Sequence, residues 1–342
     1  MHRPLRLTVD RSALQSNWRW LAERAGVPAG AAIKANGYGL GARETADALI
    51  AAGCRDFFVS TWAEAEGLGT LPDDVGLIVL HGIGPEDATA VPRPAARPCL
   101  NSVEQVERWK DVAPGHACDV MIDTGINRLG LRPIEIAALD GLTIDTLHSH
   151  LACGDEDSAL NEMQLERFRA LAAAIPAKRY SFANSAGICL GRNYSFNLVR
   201  PGLSLYGGIP RIEAEGHIRQ TVRVEAQIVQ RRTIPGGESC GYGATFVARD
   251  DTEAAILNIG YADGYLRGFS SHGSAFVGEY ALPVFGRVSM DLIAVGVDAA
   301  PGLKEGDWVE IDYDLPSASQ QSGLSQYELL TTLGSRFERR WV

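Results

Sequence analysis

The stretch that decides the fold is Ala31–Gly39, with the sequence AAIKANGYG. An apolar run ends at Lys34, and a turn rich in small residues then brings Tyr38 back near the lysine amine. A lysine at the end of a buried strand loses hydration, which lowers its pKa and frees the amine to form an imine with a carbonyl compound. The alternative is a side chain whose stem packs on the strand while its charge reaches water. The chain has only four lysines, which weakens this alternative, but for a lysine taken by itself it remains the default, and the motifs further along the chain decide against it.

Strand-length apolar segments alternate with amphipathic segments on both sides of this stretch, as far as about residue 209. The expected strands are Ala31–Ala35, Asp56–Ser60, Gly76–His81, Arg97–Asn101, Cys118–Thr124, Ile144–Ala152, Arg179–Asn184 and Asn197–Leu205. The clearest helical patterns are Ala42–Ala52, Val103–Val112 and Ala159–Ile175. Strands that are apolar on both faces are typical of parallel sheets covered by helices, so the pattern predicts an α/β fold with a (β/α)₈ TIM-like barrel. An open doubly wound sheet is the alternative.

The pattern changes after residue 210. Alternating strands are expected at Val222–Ile234 and Ala254–Ile259, with turn signals at residues 235–237 and 301–302. We therefore expect a barrel domain over residues 10–212 and a mainly β domain over residues 213–342. The strand pattern at Leu5–Val9 has no place among the eight barrel strands, and we assign residues 1–9 to the β domain. The polar stretch Ser317–Ser325 is expected to be a loop.

Composition excludes several classes of function. The net charge of -10 argues against sequence-independent nucleic-acid binding, which needs a basic surface. No apolar run approaches the roughly 20 residues of a membrane-spanning helix, and the N-terminus has no apolar signal region. The six cysteines are scattered and without C-x-x-C pairs, which is typical of reduced core residues in a cytoplasmic protein. We predict no metal site, because the histidines lack a matching set of ligands.

Suggestive side chains follow several of the expected barrel strands, where barrel enzymes carry their reactive groups. The loop after the fifth strand presents Arg128, whose guanidinium suits a carboxylate, although a loop arginine is more often simply exposed. His148 and His150 share one face of the sixth strand. Ser185 begins a short helix after the seventh strand, as an ordinary N-cap or as part of a phosphate site. Arg200 ends the eighth strand, beside a loop with open backbone amides.

Taken together, these segments resemble alanine racemase, the barrel-type (fold type III) family of pyridoxal phosphate enzymes, over nearly the whole chain. The motifs that carry the resemblance are residues 32–39, 123–130, 148–150, 183–185, 200–207, 241–246, 260–265, 286–291 and 326–328. The resemblance implies an isomerase that interconverts L- and D-alanine, supplies D-alanine for peptidoglycan precursors and acts as a cytoplasmic homodimer.

The resemblance also assigns roles to residues. Lys34 would hold pyridoxal 5'-phosphate covalently, and Tyr242 would be the opposing base, supplied to the partner's Lys34. The phosphate would be bound by Tyr38, Ser185, Gly202, Leu203 and Tyr327. Arg200 would meet the pyridine nitrogen, with His150 supporting Arg200 and Tyr242. Arg128 and the backbone N–H of Met290 would bind the substrate carboxylate.

Some residues depart from the family pattern, and other readings stay open. Leu40 stands where many members have histidine, Leu292 where glutamine is frequent, and Met121 where some carry a modified lysine that steadies the arginine. Tyr242 and Met290 could instead be packing residues. The alternatives for function are a broad-specificity racemase acting on serine or other small amino acids, a pyridoxal phosphate lyase or aldolase, and a non-catalytic carrier of the cofactor.

Overall fold

The computed structural model describes residues 2–90 and 96–342 of the chain. The chain divides into two compact units. We call Leu14–Arg219 the α/β unit, and Met1–Ala13 together with Gln220–Val342 the β unit. The sequence places the boundary after residue 212, whereas the structure divides the chain after Arg219. Met1, the first residue of the expected segment 1–9, lies outside the described residues.

Strands and helices are numbered in chain order. The strands are β1 Leu5–Val9, β2 Ala31–Ala32, β3 Asp56–Val59, β4 Gly76–Val79, β5 Ala96–Leu100, β6 Ala117–Met121, β7 Thr143–His148, β8 Arg179–Ser181, β9 Val222–Ile234, β10 Ser239–Cys240, β11 Phe246–Val247, β12 Thr252–Leu257, β13 Ser274–Val277, β14 Tyr280–Phe285, β15 Ile293–Gly296, β16 Trp308–Ile311 and β17 Glu338–Trp341. The helices are α1 Arg11–Ala25, α2 Lys34–Tyr38, α3 Ala42–Ala52, α4 Trp62–Gly67, α5 Val103–Val112, α6 Ala159–Ala174, α7 Ser185–Leu190, α8 Leu315–Ser322 and α9 Gln326–Thr331.

The α/β unit is built on a parallel sheet of seven strands in the order β2-β3-β4-β5-β6-β7-β8. Its strands are apolar on both faces, as in β3, where Phe57, Phe58 and Val59 are fully buried. Sequential parallel order requires a crossover after every strand, and α-helices provide it after β2, β3, β5 and β7. The carboxyl ends of the strands therefore lie at one edge of the sheet, where the residues that follow them can meet.

The expected eighth strand, Asn197–Leu205, is wrong as a continuous strand. Single parallel bridges join Leu198 to Ser181 of β8 and Val199 to Ala29, just before β2. Pro201 has no N–H to continue a ladder, and the chain then turns into a 3₁₀ helix at Leu203–Tyr206. The segment still bonds to both sides, because Asn197 N donates to the Tyr180 carbonyl at 3.0 Å and Gly30 N donates to the Val199 carbonyl at 2.9 Å.

The β unit is a sheet in the order β12-β15-β14-β13-β16-β9-β1-β17. The long strand β9 pairs with β1 and β16 along its first half and with β12 along its second half, so the sheet curls back on itself. The strand Leu5–Val9 belongs to this sheet through β9 and β17. The expectation of a loop at Ser317–Ser325 is wrong, because α8 covers Leu315–Ser322. Its N-cap, Asp314, accepts a hydrogen bond from the Ser317 N–H, which satisfies a free donor of the first turn.

In the part of the chain that the structure describes, none of the helices has both the length and the apolar composition needed to cross a bilayer.

Candidate active site

Lys34 lies just beyond the end of β2 in the α/β unit, separated from it only by Ile33, and its side chain is half-buried. Burial lowers the pKa of Lys34 from 10.5, and the positive charges of Arg128 and Arg200 lower it further. The Glu64 carboxylate acts in the opposite direction and raises it. The net lowering gives an amine that loses its proton more easily than an exposed lysine, which is what a nucleophilic amine requires.

The expected extension of β2 to Ala35 is wrong, because the chain turns left-handed at that residue. Five consecutive residues have positive φ, from 52° at Ala35, 53° at Asn36, 62° at Gly37 and 54° at Tyr38 to 88° at Gly39. An L-residue loses about 1–2 kcal/mol in this conformation, so surrounding contacts must hold the turn. Two of them are side-chain acceptors, since Glu64 Oε1 accepts from the Ala35 N–H at 2.8 Å and Asn36 Oδ1 accepts from the Ala42 N–H at 3.0 Å.

The left-handed turn returns Tyr38 into the α/β unit, where its ring stacks on Tyr206 with centroids 4.6 Å apart. The side chain is buried. A Cβ atom at Gly202 would overlap the Tyr38 hydroxyl, so only glycine allows the phenol to approach this loop. The sequence proposes Tyr38 and Gly202 as phosphate ligands, and the structure brings them together.

Ser185 lies at the same loop. Its Oγ accepts hydrogen bonds from the Gly202 N–H at 3.0 Å and the Ser204 N–H at 3.2 Å. Backbone amides that converge on one point are suited to an anion. The Ser204 hydroxyl is buried without a hydrogen-bond partner, so a donor remains unused there. Leu203, also buried, lies between the two amides.

The ordinary N-cap reading of Ser185 is wrong. Asn184 is the N-cap of α7, and its side chain accepts from the Gly187 N–H at 2.9 Å. Ser185 is the first residue of the helix, which leaves its hydroxyl free to face the Gly202–Ser204 loop.

Arg200 is buried, with 6% of its surface exposed. Its Nη1 donates to Nδ1 of His148 at 3.2 Å and to the Ser181 hydroxyl at 2.5 Å, and its Nη2 donates to the Ser149 carbonyl at 2.6 Å. Burial lowers the pKa of Arg200 to about 10, while negative charge at Asp119 opposes the shift. The guanidinium is therefore still protonated at neutral pH and is held in one orientation.

Arg128 adds a positive charge near Lys34, whereas His150 is a neutral neighbour. Burial, followed by the charges of Arg200, Arg128 and Lys34, lowers the pKa of His150 to about 3, so its ring is neutral at physiological pH. Arg128 is exposed, on a loop whose conformation is fixed from within. Asp123 Oδ1 accepts from the backbone N–H groups of Gly125, Ile126 and Asn127, at 2.8, 3.0 and 3.2 Å.

The remaining candidates belong to the β unit. Tyr242 lies in the loop that joins the antiparallel strands β10 and β11, and 69% of its surface is exposed. Met290 and Tyr327 are exposed too, at 53% and 41%. Exposure of this kind is unusual for residues whose role is only packing. Tyr265, which the sequence leaves unassigned, is fully buried and stacks on Phe269 at 4.3 Å, so it is a core residue.

Sequence reasoning missed three polar residues of the α/β unit that fix the site. Glu64 holds the left-handed turn, and Asp119 and Ser181 hold Arg200 directly or through His148. Asp119 carried a signal, because it is a carboxylate inside the otherwise apolar strand Ala117–Met121. A charged residue in such a strand is almost never buried without a partner.

Comparison with known proteins agrees along the whole chain. Residues 9–210 match the family described as alanine racemase, N-terminal domain, and residues 221–341 match alanine racemase, C-terminal domain. The chain is 39% identical to the catabolic alanine racemase of Agrobacterium fabrum, over 98% of this chain and 92% of the relative. It is also 39% identical to an alanine racemase of Methylobacterium nodulans, over 98% and 96% of the two chains.

Solved structures agree as well. The structure of alanine racemase from Bartonella henselae with covalently bound pyridoxal phosphate superposes with a TM-score of 0.93 at 35% identity and covers 100% of both chains. The biosynthetic alanine racemase of Pseudomonas aeruginosa superposes with a TM-score of 0.91 at 31% identity, again over 100% of both chains.

Proposed function

The chain belongs to the alanine racemase family, and on that premise we propose that it is a pyridoxal phosphate-dependent isomerase that interconverts L- and D-alanine. The observation that carries the proposal is the set of groups around Lys34. An amine with a lowered pKa, a buried arginine and a loop of converging amides lie in one unit of the chain. We further propose a cytoplasmic enzyme that supplies D-alanine for peptidoglycan precursors.

The cofactor fits the groups present in the α/β unit. Its phosphate matches the loop where Ser185, Gly202 and Tyr38 meet and where the Ser204 hydroxyl is unpartnered. Leu203 contributes its backbone there, and Tyr327 is proposed as a further ligand from the β unit. Bound pyridoxal phosphate withdraws electrons from the α-carbon of an attached amino acid and so makes the α-proton acidic.

Arg200 is proposed to bind the pyridine nitrogen. A guanidinium gives up no proton near neutral pH, so Arg200 would hold that nitrogen through a hydrogen bond and would not protonate it. The cofactor would then be a weaker electron sink, which would restrain side reactions such as transamination. His150, neutral because its pKa is low, is proposed to support Arg200 and Tyr242 without adding a second positive charge.

Racemisation needs one base on each face of the α-carbon. Nζ of Lys34 takes or gives the proton on one face, and its lowered pKa favours the neutral amine for this step. The phenol oxygen of Tyr242 plays the same role on the other face. Arg128 and the Met290 N–H orient the substrate carboxylate. We propose that the enzyme is a homodimer in which Tyr242 serves the partner's Lys34, which is supported by the 69% exposure of Tyr242 in the single chain.

The same proposal gives each domain a separate role. Residues 10–212 form the cofactor-binding barrel, and residues 213–342 with the N-terminal strand contribute to the partner's active site. We propose that the segment around Leu198 and Val199 acts as the eighth strand, because it bonds to β8 on one side and to the chain before β2 on the other.

The cofactor and the lysine are tested together by spectroscopy. Purified protein should show a visible absorbance band that borohydride abolishes, and peptide mapping should find the reduced label on Lys34. A label on another lysine would contradict the assignment. Comparing turnover of alanine with turnover of serine then separates an alanine racemase from a racemase of broader specificity.

The two-base, two-chain arrangement is tested by mixing inactive variants. Lys34→Ala and Tyr242→Phe should each abolish most racemisation. Mixed dimers contain one site with both changes and one site with neither, provided that Tyr242 acts on the partner. Random mixing should therefore restore about a quarter of wild-type activity, because half of the dimers are mixed and each has one intact site of two. If Tyr242 acts within its own chain, mixing restores nothing.

A further inference from the structure

Arg200 is held from behind by a line of buried side chains. Its Nη1 donates to Nδ1 of His148, and Nε2 of the same ring lies 2.9 Å from Oδ2 of Asp119. His148 and Asp119 are both fully buried. We call Arg200, His148 and Asp119 the buried triad. It runs from the carboxyl end of the sheet toward its interior, since Arg200 follows the strands whereas Asp119 lies within β6.

The hydrogen bonds of the buried triad define one tautomer of His148. A carboxylate only accepts, so Nε2 of His148 must carry the proton that is shared with Asp119. Nδ1 is then unprotonated, and its lone pair can accept the hydrogen bond from the Arg200 guanidinium. Burial lowers the pKa of His148 and Arg200 acts in the same direction, while the hydrogen bond to Asp119 opposes them. The net shift is downward, so the ring is neutral and this tautomer is available at neutral pH.

The other carboxylate oxygen of Asp119 also accepts a hydrogen bond. Its Oδ1 accepts from Nε of Arg97 at 3.1 Å, and Nη2 of Arg97 donates to Asp145 at 3.2 Å. Asp145 in turn accepts from Arg179 at 2.8 Å. Arg97 keeps 24% of its side chain exposed, so the line of bonds ends at partly hydrated groups. Asp119 is therefore a buried charge with a donor on each oxygen, as a buried carboxylate requires.

We propose that Asp119 and His148 are positioning residues for Arg200, and that through it they set how strongly the protein recognises the pyridine nitrogen of its cofactor. This inference rests on the proposed function, which places Arg200 at that nitrogen. Asp119 selects the tautomer of His148, and His148 then accepts one Arg200 N–H. Because this N–H is bonded to His148, the guanidinium has a fixed orientation, and its remaining N–H donors point in a fixed direction.

The alternative is a purely structural role, in which the triad is only one part of a buried ion network. Asp145 separates the two explanations. It is a carboxylate on the neighbouring strand β7 and also binds Arg97, but it is one arginine further from His148. A structural role predicts the same consequences for Asp119→Asn and Asp145→Asn, whereas positioning of Arg200 predicts an effect on the cofactor ring from Asp119→Asn only.

The readout is the affinity of the apoprotein for two compounds. One is pyridoxal phosphate, and the other is its 1-deaza analogue, which keeps the aldehyde and phosphate but has C–H in place of the ring nitrogen. Wild type should bind pyridoxal phosphate more tightly. We define the ratio as the dissociation constant of the analogue divided by that of pyridoxal phosphate, so a higher ratio means stronger recognition of the nitrogen. A ratio near one in wild type would contradict the proposed role of Arg200 at the pyridine nitrogen. That part of the proposed function would then fail, whatever the variants show.

Given discrimination by wild type, His148→Phe should lower the ratio by about tenfold, the size of one lost hydrogen bond to a charged group. Asp119→Asn should lower it at least about threefold, because an amide can offer its oxygen to His148 or to Arg97 but not to both. Asp145→Asn should keep the ratio within about twofold of wild type. A smaller change in either triad variant, or an equal change in Asp145→Asn, overturns the proposal.

A second pair of variants separates an effect on Arg200 from a general loss of stability. In His148→Asn the amide oxygen lies near the position of Nδ1 and still accepts from Arg200, whereas in His148→Gln the amide lies near the position of Nε2. Both replace the ring by a polar amide, so both should lower the melting temperature similarly. The triad predicts that His148→Asn keeps the higher ratio. Equal ratios in the two variants contradict it.

Discussion

Replacing Glu64 by alanine should loosen the left-handed turn that follows Lys34. Glu64 Oε1 accepts from the Ala35 N–H at 2.8 Å, and Oε2 accepts from the Ser60 N–H at 2.6 Å. The same side chain closes a capping box with Thr61 at the start of α4. One carboxylate thus joins the turn to the end of β3, and none of these bonds can form in the alanine variant.

The structure gives the size of the effect. A hydrogen bond to a charged group contributes about 1.5–3 kcal/mol, and the lower value applies at Ala35 because it is exposed and water can replace the carboxylate. Loss of the acceptors for Ala35 and Ser60 should therefore cost about 3–4.5 kcal/mol in the free energy of unfolding. For a domain of this size, that corresponds to a melting temperature lower by about 6–18 °C.

Glu64→Gln separates charge from geometry, because its amide oxygen can still accept from one of the two N–H groups. Both variants remove a negative charge that raises the pKa of Lys34, so both should shift the pH dependence of cofactor capture by Lys34 to lower pH. Calorimetry gives the melting temperature, and the rise of visible absorbance at a series of pH values gives the capture rate. A melting temperature within about 1 °C of wild type for Glu64→Ala, or a pH profile shifted upward, would refute the reasoning.

Three further predictions concern single residues. Gly202→Ala should weaken cofactor binding about tenfold in an equilibrium titration, because the new methyl group displaces the Tyr38 hydroxyl, and wild-type affinity would contradict this. Burial raises the pKa of Asp145, but the guanidinium groups of Arg97 and Arg179 lower it, and the net pKa is below 3.8. The stabilisation that the ionised Asp145 gives to the fold is therefore present above about pH 4 and is lost as the pH falls through the folded-state pKa. Asp145→Asn should therefore lower the free energy of unfolding by about 2 kcal/mol at pH 7 and less at pH 3, as measured by urea unfolding. The low pKa of His150 means that the unfolded chain binds a proton below about pH 6.5 that the folded chain does not, so stability falls from pH 6.5 toward pH 4, and His150→Gln should reduce that slope. An unchanged slope would show that another group causes it.

The sequence predicts best those elements whose ends are set by local chemistry. The helices Ala42–Ala52 and Val103–Val112 have the expected bounds. Gly53 ends the first with φ of 112°, which glycine adopts readily, and Ser102 caps the second by accepting from the Gln105 N–H. Strand β9 also has its expected bounds, because its alternating pattern is long and regular.

Prediction fails where the outcome depends on residues distant in the chain. Ala35 follows an apolar run and looks like strand, but the Glu64 carboxylate binds its N–H and stabilises a left-handed turn. Ser181 looks like an ordinary strand residue until the fold brings Arg200 against it. Contacts with residues distant in the chain, and not local propensity, decide such positions. The candidate residues were found by motif, whereas the groups that hold them became visible only in three dimensions.

The left-handed turn beside Lys34 has a consequence for how the chain could be altered by chemical synthesis. Ala35 adopts φ and ψ of 52° and 47°, which is the mirror image of an ordinary right-handed helical residue. A residue of inverted configuration prefers this geometry by about the 1–2 kcal/mol that an L-residue loses there. A semisynthetic chain with D-alanine at position 35 would therefore relax the backbone next to the reactive amine. The favoured building block at that position is the same molecule that the enzyme is proposed to produce.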